Sequence, residues 1–399
     1  MAVAAHTLNI PTHDELVSRA RDLAPKLKER AEAAEAARCV PEQTVAEMQE
    51  AGFFQVLQPK KWGGYECEPR TFFDIQMELA RACPSTAWIY GVIGIHQWQM
   101  ALFPEETQQE VWGEDPRVLI SSSYMPVGKV EHTDGGVILS GRWGFSSGCD
   151  HCQWVFVGGF IPPKDGEGYP DMVTFLVPRS DYDFDDDWHV SGLKATGSKT
   201  VIVDKKFVPW RRIHKFSDGF KQDSPGHAVN DAPLFRLPFG QIFVRAVSTG
   251  TIGMLQGALD TYIEVQKDRV QRGNGEAVSQ QANAQQAVAH AAATIDMLKL
   301  ILYRSFDEMM DYVRRGEKIP VERRVHFRYQ SALVVESCLE AATKLLNESG
   351  GSGIFLTNPI NSYFQDIRAA RGHYANNMDK PGKNLGSVLM GLKNTDFFI

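Results

Sequence analysis

The residues best placed to do chemistry lie in Arg368-Ala369-Ala370-Arg371-Gly372-His373-Tyr374-Ala375-Asn376-Asn377. A helical pattern stops at Gly372, and a histidine and a tyrosine follow. A histidine titrates near neutrality, so it can take or give a proton at physiological pH. It can also simply cap the last carbonyls of a helix and favour its dipole. Trp88 and His96 share an apolar stretch, where a lone histidine is either a proton carrier or a satisfied core residue. Gly141–Gly148 carries Phe145, Ser146 and Ser147, and Gly192–Thr200 carries Gly197 and Ser198. Small residues let backbone approach a flat ligand, and hydroxyls can bond its polar edge. Each of these two stretches, taken alone, reads first as a hairpin or a turn. Cys149-Asp150-His151-Cys152 has no second pair at metal spacing, so small residues entering a buried strand explain it better than a metal site. The Asp183–Asp187 run lacks regular ligand spacing and reads as a solvated loop.

Three kinds of element must position these residues. Residues 13–115 carry helical periodicity: a start at Thr12-His13-Asp14-Glu15, a second helix from Pro41 to Ala51 closed by Gly52, then Pro69–Cys83 and Ser85–Phe103. The last is apolar nearly all round and should be buried. Val118–Ser123, Gly136–Ser140, Trp154–Ile161, Met172–Pro178 and Thr200–Val208 are β-branched or aromatic runs between turn residues, and read as strands. Lys215–Pro233 reads as a long loop, which in a compact protein is often a lid or an interface. Helical periodicity returns in Gly240–Val270, Ser279–Gly316, Val321–Ser349 and Pro359–Arg371. Two of these are well beyond the mean of about 12 residues, and their Ala-rich faces suit a four-helix bundle that also packs against other subunits. The expected division is a helical domain over 1–116, a β domain with a lid-like loop over 117–232, and a helical bundle with a tail over 233–399.

Composition narrows the function. The chain has 399 residues, 43% hydrophobic and 23% charged, with net charge -7 and pI near 5.9. That balance argues against nucleic acid as the main partner. No secretory signal is visible over Met1–Thr12, and no uninterrupted apolar run reaches the ~18 residues of a membrane span. Six scattered cysteines suit a reducing, cytoplasmic setting. His132, His151, His189, His214, His227, His290 and His326 have no comparable context and read as structural or surface residues.

In this order and spacing, the glycine–hydroxyl motifs resemble the acyl-CoA dehydrogenase fold. Pro41…Met48-Gln49-Glu50-Ala51-Gly52-Phe53…Trp62-Gly63-Gly64 resembles the family's N-terminal helix and loop. Tyr262…Arg269…Gly273…Gln285 resembles the signature opening its C-terminal bundle, with Arg272 in place of the usual Phe. Gly350-Gly351-Ser352-Gly353 resembles its glycine turn toward a neighbouring subunit's flavin. The resemblance spans nearly the whole chain and implies an α+β fold: N-terminal helices, a central β domain and a C-terminal four-helix bundle.

The dehydrogenases need a carboxylate where this chain has Arg371-Gly372-His373-Tyr374-Ala375-Asn376. Ala87-Trp88…Gly94-Ile95-His96, Ser121-Ser122-Ser123 and Gly372-His373 resemble a different branch: oxygenase components of two-component, reduced-flavin-dependent aromatic monooxygenases, of the 4-hydroxyphenylacetate 3-hydroxylase and 3-hydroxy-9,10-secoandrostatrienedione hydroxylase type. That branch implies reduced FMN or FAD from a separate NAD(P)H-flavin reductase, O2 as co-substrate, a C4a-hydroperoxide, and hydroxylation of a phenol ortho to its hydroxyl. The chain itself shows no nicotinamide fingerprint, since Gly91-Val92-Ile93-Gly94 is not Gly-x-Gly-x-x-Gly after a strand. By the same resemblance His373 is the base, while His96 and Ser122 orient the substrate hydroxyl. Trp88 and Phe145 wall the flavin, Ser146 or Ser147 bonds its N5, and Gly197, Ser198, Gly350, Gly351 and Tyr374 contribute to its site. Arg269 holds phosphate, and the assembly is a homotetramer. The competing readings are oxygenation of an indole or a nitrogen or sulfur atom on the same scaffold, an acyl-CoA dehydrogenase with a displaced base, and a non-catalytic flavin-binding protein.

Overall fold

The computed structural model describes residues 10–163, 169–270 and 275–399. Expectations about Met1–Asn9, Arg272 and Gly273 lie outside the described residues. The chain opens with five helices: α1 His13–Ala37, α2 Glu42–Glu50, α3 Pro69–Ala82, α4 Pro84–Met100 and α5 Glu105–Trp112. Thr12 and Glu15 form a reciprocal capping box that starts α1. Proline at the first turn starts α3 and α4, where its missing N–H costs nothing. α4 is buried on every side. Gly91 makes this possible, because a Cβ there would meet the Gln76 amide at 2.1 Å and the Ala246 carbonyl at 2.7 Å.

A seven-stranded sheet follows, in the order β5-β6-β2-β1-β3-β4-β7. Its strands are β1 Ile120–Thr133, β2 Gly136–Ser146, β3 Trp154–Ile161, β4 Asp171–Pro178, β5 Asp183–Asp185, β6 Lys199–Pro209 and β7 Ile213–Lys215. β1 and β3 run parallel, and the other neighbours are antiparallel. The acidic run is therefore not simply a solvated loop. Asp183–Asp185 is an edge strand on β6, Arg38 pairs with Asp186, and Thr200 donates to Asp187. Cys149–His151 forms one 3-10 turn, and all six cysteines are free thiols.

Segment 215–233 is folded rather than an open loop. α6, Phe216–Lys221, is followed by 3-10 turns at Pro225–Ala228 and Pro233–Arg236. The segment is fastened to the end of α4: Gly226 N–H and Asn230 Nδ2 donate to the carbonyls of Leu102 and Ala101. The expected Gly240–Val270 helix divides into α7 Phe239–Ala246 and α8 Gly250–Gln266. By length and hydropathy Phe239–Gln266 could cross a membrane, but 94% of its apolar window is buried inside the protein. It is a buried core helix here, interrupted at Val247–Thr249. α9 Ala282–Arg314, α10 Val321–Glu348, α11 Pro359–Arg371 and α12 Asp379–Leu389 complete the chain.

Three cores hold the layers together. One lies among the helices, and a second inside the sheet around Trp143, Val155 and Phe175. A third, with Met100, Phe103, Trp112, Ile120 and Phe156, joins the end of α4 to the start of β1. That junction places the serines of β1 against α4.

Candidate active site

Of the two candidate histidines, His96 lies at this junction and His373 lies beside Trp88, nearer the start of α4. His96, on α4, is fully buried, and its Nδ1 lies 2.5 Å from the Ile120 carbonyl. A carbonyl only accepts, so Nδ1 carries the proton. Nε2 is then a bare lone pair, and it is buried without a partner. Burial pushes the His96 pKa down to about 4, so the ring is neutral.

His373 follows α11 and caps the 3-10 turn Tyr374–Asn376. Its Nδ1 accepts from the Ala375 N–H at 3.1 Å. The dense protein around the ring, and then the Arg328 cation, also push this pKa down to about 4. A neutral ring that accepts at Nδ1 carries its proton on Nε2. The two histidines thus hold opposite tautomers: His96 presents an acceptor and His373 a donor.

An unbroken path of rings connects them. His96 meets the edge of Tyr124 at 6.1 Å, Tyr124 meets Phe243 at 4.9 Å, and Phe243 lies 6.1 Å from His373, which is 5.9 Å from Trp88. Ser122 and Tyr124 project from the same face of β1, because strand side chains alternate. Burial raises the pKa of the Tyr124 hydroxyl, and its hydrogen bonds with Ser122 and Gln99 offset only part of that rise. Phe398 packs on Phe239 and Phe243, and Phe397, Phe398 and Ile399 close the space between α6 and α7 to a void of about 10 Å³.

The glycine–hydroxyl motifs meet at Trp88. Its Nε1 donates to Ser147 Oγ at 3.1 Å, Ser147 Oγ lies 2.7 Å from Ser198 Oγ, and Ser198 Oγ lies 2.7 Å from Thr196 Oγ1. Ser146 points the other way, to Ser121 at 3.2 Å. Gly197 sits at φ +55° above Asp150 and Arg38, where a side chain would be strained. Phe145, at φ +66°, projects beside Trp188 and remains 67% exposed. Positive φ is costly for an aromatic residue, so this loop holds the ring outward against local preference.

Arg269, Gly350 and Gly351 form a separate cluster. Arg269 Nη1 donates to the Ser349 carbonyl at 3.0 Å, and a Cβ at Gly350 or Gly351 would meet nothing within 4 Å. Among the described residues, no hydrogen bond or ring contact joins this cluster to Trp88 or Ser147. Tyr374 faces outward, 65% exposed, and its hydroxyl is held by Lys380.

Sequence reasoning did not single out Tyr124, Phe243 or Gln99. Tyr124 stands two residues after Ser122, and the alternation of β1 could have found it. Phe243 lies in an apolar helix and gives no signal beyond core packing.

The acyl-CoA dehydrogenase N-terminal domain family matches residues 11–115, and the acyl-CoA dehydrogenase C-terminal domain family matches residues 246–378. The chain belongs to the acyl-CoA dehydrogenase family. Within it, the chain sits with the oxygenase components of two-component flavin-dependent monooxygenases, oxidoreductases that use reduced flavin made by a separate reductase. It is 37% identical to the flavin-dependent monooxygenase oxygenase subunit HsaA of Rhodococcus jostii (strain RHA1), over 94% of this chain and 98% of that one. It is 34% identical to the oxygenase component of the FADH(2)-dependent resorcinol hydroxylase of Rhizobium sp. (strain MTP-10005), over 98% of both. The crystal structure of the 3-HSA hydroxylase from Rhodococcus sp. RHA1 superposes with a TM-score of 0.92 at 36% identity, covering 97% of this chain and 100% of that one.

The residues present fit a flavin. Phe145, two residues before Ser147, offers an exposed aromatic ring. Arg269 offers a fixed cation next to open glycine backbone, as phosphate recognition requires.

Proposed function

We propose that this chain hydroxylates a phenol ortho to its hydroxyl, with His96 as proton acceptor and His373 as donor. The family resemblance suggested His373 as the base and His96 as orienting the hydroxyl; here the base is His96, and His373 becomes a hydrogen-bond donor. The observation that carries the proposal is the unpartnered, buried Nε2 of His96, whose tautomer is fixed by Ile120. Such a lone pair is costly to leave unmatched, and a phenolic O–H matches it. Ser122 and Tyr124 flank that position and orient the oxygen. Tyr124, Phe239, Phe243 and Phe398 pack against one another around a void of only about 10 Å³, so the ring of the substrate enters by displacing these aromatic side chains.

Magnitudes decide how the proton moves. A free phenol has a pKa of about 10, and His96 sits at about 4. Full transfer before attack would cost on the order of 8 kcal/mol. A developing phenolate beside Nε2 favours the charged imidazole, which narrows the gap. Proton transfer therefore accompanies attack by the ring carbon instead of preceding it. Reduced flavin, when bound, supplies the electrons that activate dioxygen. Trp88, Phe145 and Ser147 hold its ring system, and the closed aromatic walls exclude water. As one oxygen atom goes to the ring carbon and the O–O bond breaks, His373, whose neutral ring keeps its proton, would donate a hydrogen bond from Nε2–H to the oxygen left behind.

The same proposal includes a homotetramer, a cytoplasmic setting and a separate reductase. Ile354, Phe355 and Leu356 are 81%, 61% and 87% exposed directly after the Gly350 turn. Consecutive exposed apolar residues of this kind mark an interface.

Anaerobically reduced FMN or FAD, mixed with oxygen and a panel of phenols, indole and thioethers, tests the reaction. Phenols should give catechols one oxygen heavier. Oxygenated indole or thioether without any catechol would refute the substrate class. Reduction of the flavin-loaded protein by an acyl-CoA would instead establish a dehydrogenase.

A further inference from the structure

We propose that Ser198 and Thr196 lock the Ser147 hydroxyl as a hydrogen-bond acceptor, and that this lock makes the site select reduced over oxidised flavin. The inference rests on the flavin reading above and takes Ser147, which bonds Trp88 while Ser146 turns to Ser121, as the member of that pair that meets flavin N5.

The argument is a count of protons. Each hydroxyl has one O–H to donate, an indole N–H can only donate, and a carbonyl can only accept. At one end, Thr196 Oγ1 donates to the Leu193 carbonyl at 2.9 Å and so spends its proton. It must then accept from Ser198 at 2.7 Å. Ser198, its proton spent, must accept from Ser147 at 2.7 Å. At the other end, Trp88 Nε1 donates to Ser147 at 3.1 Å. The direction is therefore set at the Thr196 end, Trp88 occupies one lone pair of Ser147 at the other, and all four side chains are buried, beyond easy rescue by water.

Ser147 keeps one free lone pair and no free proton. Reduced flavin carries a hydrogen on N5, which needs an acceptor. Oxidised flavin has a lone pair on N5, which needs a donor. The locked hydroxyl satisfies the first and leaves the second unmatched. Turning Ser147 into a donor requires every hydroxyl in the row to rotate, with loss of the Thr196–Leu193 bond. One hydrogen bond corresponds to roughly tenfold in affinity. Ser198 and Thr196 touch neither flavin nor substrate in this account, so they are positioning residues. Their effect suits an oxygenase that must release spent flavin and accept fresh reduced flavin from another protein.

The test measures binding of FMN and FAD, oxidised and dithionite-reduced under argon, to the full-length protein. Wild type should bind the reduced form more tightly. Ser198→Ala frees the Ser147 proton, and should tighten oxidised flavin about tenfold while leaving reduced flavin nearly unchanged. By linkage, the two-electron potential of the bound flavin should then fall by about 30 mV. Ser198→Thr keeps a hydroxyl and should restore the wild-type ratio. Thr196→Val carries the same prediction as Ser198→Ala, should the latter fold poorly. Unchanged oxidised-to-reduced ratios in folded Ser198→Ala or Thr196→Val would overturn the lock and leave the flavin site standing. Failure of wild type to bind either form would overturn both.

Discussion

The chain keeps its candidate functional residues in two places built on opposite principles. Around His96, Trp88 and Ser147 every group is buried, His373 beside them is half-buried, and tautomers and hydroxyl directions are set by neighbours in the same chain. Around Arg269 and the Gly350 turn the backbone is open and the following residues, Ile354–Leu356, are bare. The inner region needs no further ordering to act, which is the condition for electrostatic and proton-transfer catalysis. The outer region holds the Arg269 cation and an exposed apolar surface. On the proposed reading, proton chemistry is completed within one chain and cofactor anchoring is left to assembly.

The largest effect should come from breaking the inner region. His96→Asn removes the only bare ring nitrogen of the pair and should slow hydroxylation by roughly 10²–10⁴-fold, the usual worth of a positioned base. His373→Gln keeps an N–H donor and should cost no more than about tenfold. Single-turnover product formation after mixing with oxygen distinguishes them. A loss under threefold in His96→Asn, with a large one in His373→Gln, would return the acceptor to His373.

Acid should attack the same region first. His96, His214 and His373 are all held at about 4 by burial, below the 6.5 of an ordinary histidine. Between those values the unfolded chain binds more protons, so stability rises with pH and is lost as pH falls from 6.5 towards 4. The slope is up to about 1.4 kcal/mol per pH unit for each histidine. Asp366 opposes this: burial raises its pKa from 3.8 to about 7. The folded chain then holds the extra proton, and that contribution is present below 3.8 and lost as pH rises to 7. Three groups outweigh one. The guanidinium unfolding midpoint should therefore fall on acidification from pH 6.5 to 4.5, and fall more steeply in Asp366→Asn. A midpoint that rises on acidification would contradict the buried neutral histidines.

Much of this was legible in the residues, for reasons that also explain the gaps. Trp154–Ile161 and Pro359–Arg371 form at the expected bounds because period and flanking prolines agree there. The Gly240–Val270 stretch looked like one helix because Val247, Ser248 and Thr249 carry no Gly or Pro. The break is tertiary: Gln76 reaches across from α3 to the Ala246 carbonyl at 2.6 Å. Segment 215–233 looked open from its Asp, Gly, Pro and Ser content, yet its polar groups are spent on the end of α4. The motifs placed Trp88, Ser147 and Ser198, but not the direction of their protons. Nor could they place Phe243, since a pocket wall and a core residue have the same sequence signature. The tautomers of His96 and His373 depend on two backbone groups, Ile120 C=O and Ala375 N–H, that no side-chain pattern encodes.

The smallest effect on chemistry should follow from breaking the outer region. Arg269 offers charge-assisted hydrogen bonds, so Arg269→Gln should weaken flavin binding roughly tenfold. Leu356→Asp places a charge on the bare apolar ridge and should lower the assembly state measured by light scattering. In both variants the His96–His373 pair and the Ser147 row are untouched. At saturating reduced flavin the yield of hydroxylated product per flavin oxidised should therefore stay within about twofold of wild type. If that yield collapses while binding is saturated, the two regions are coupled: a neighbouring subunit then completes the inner site as well, and its closure belongs to the assembly and not to the single chain.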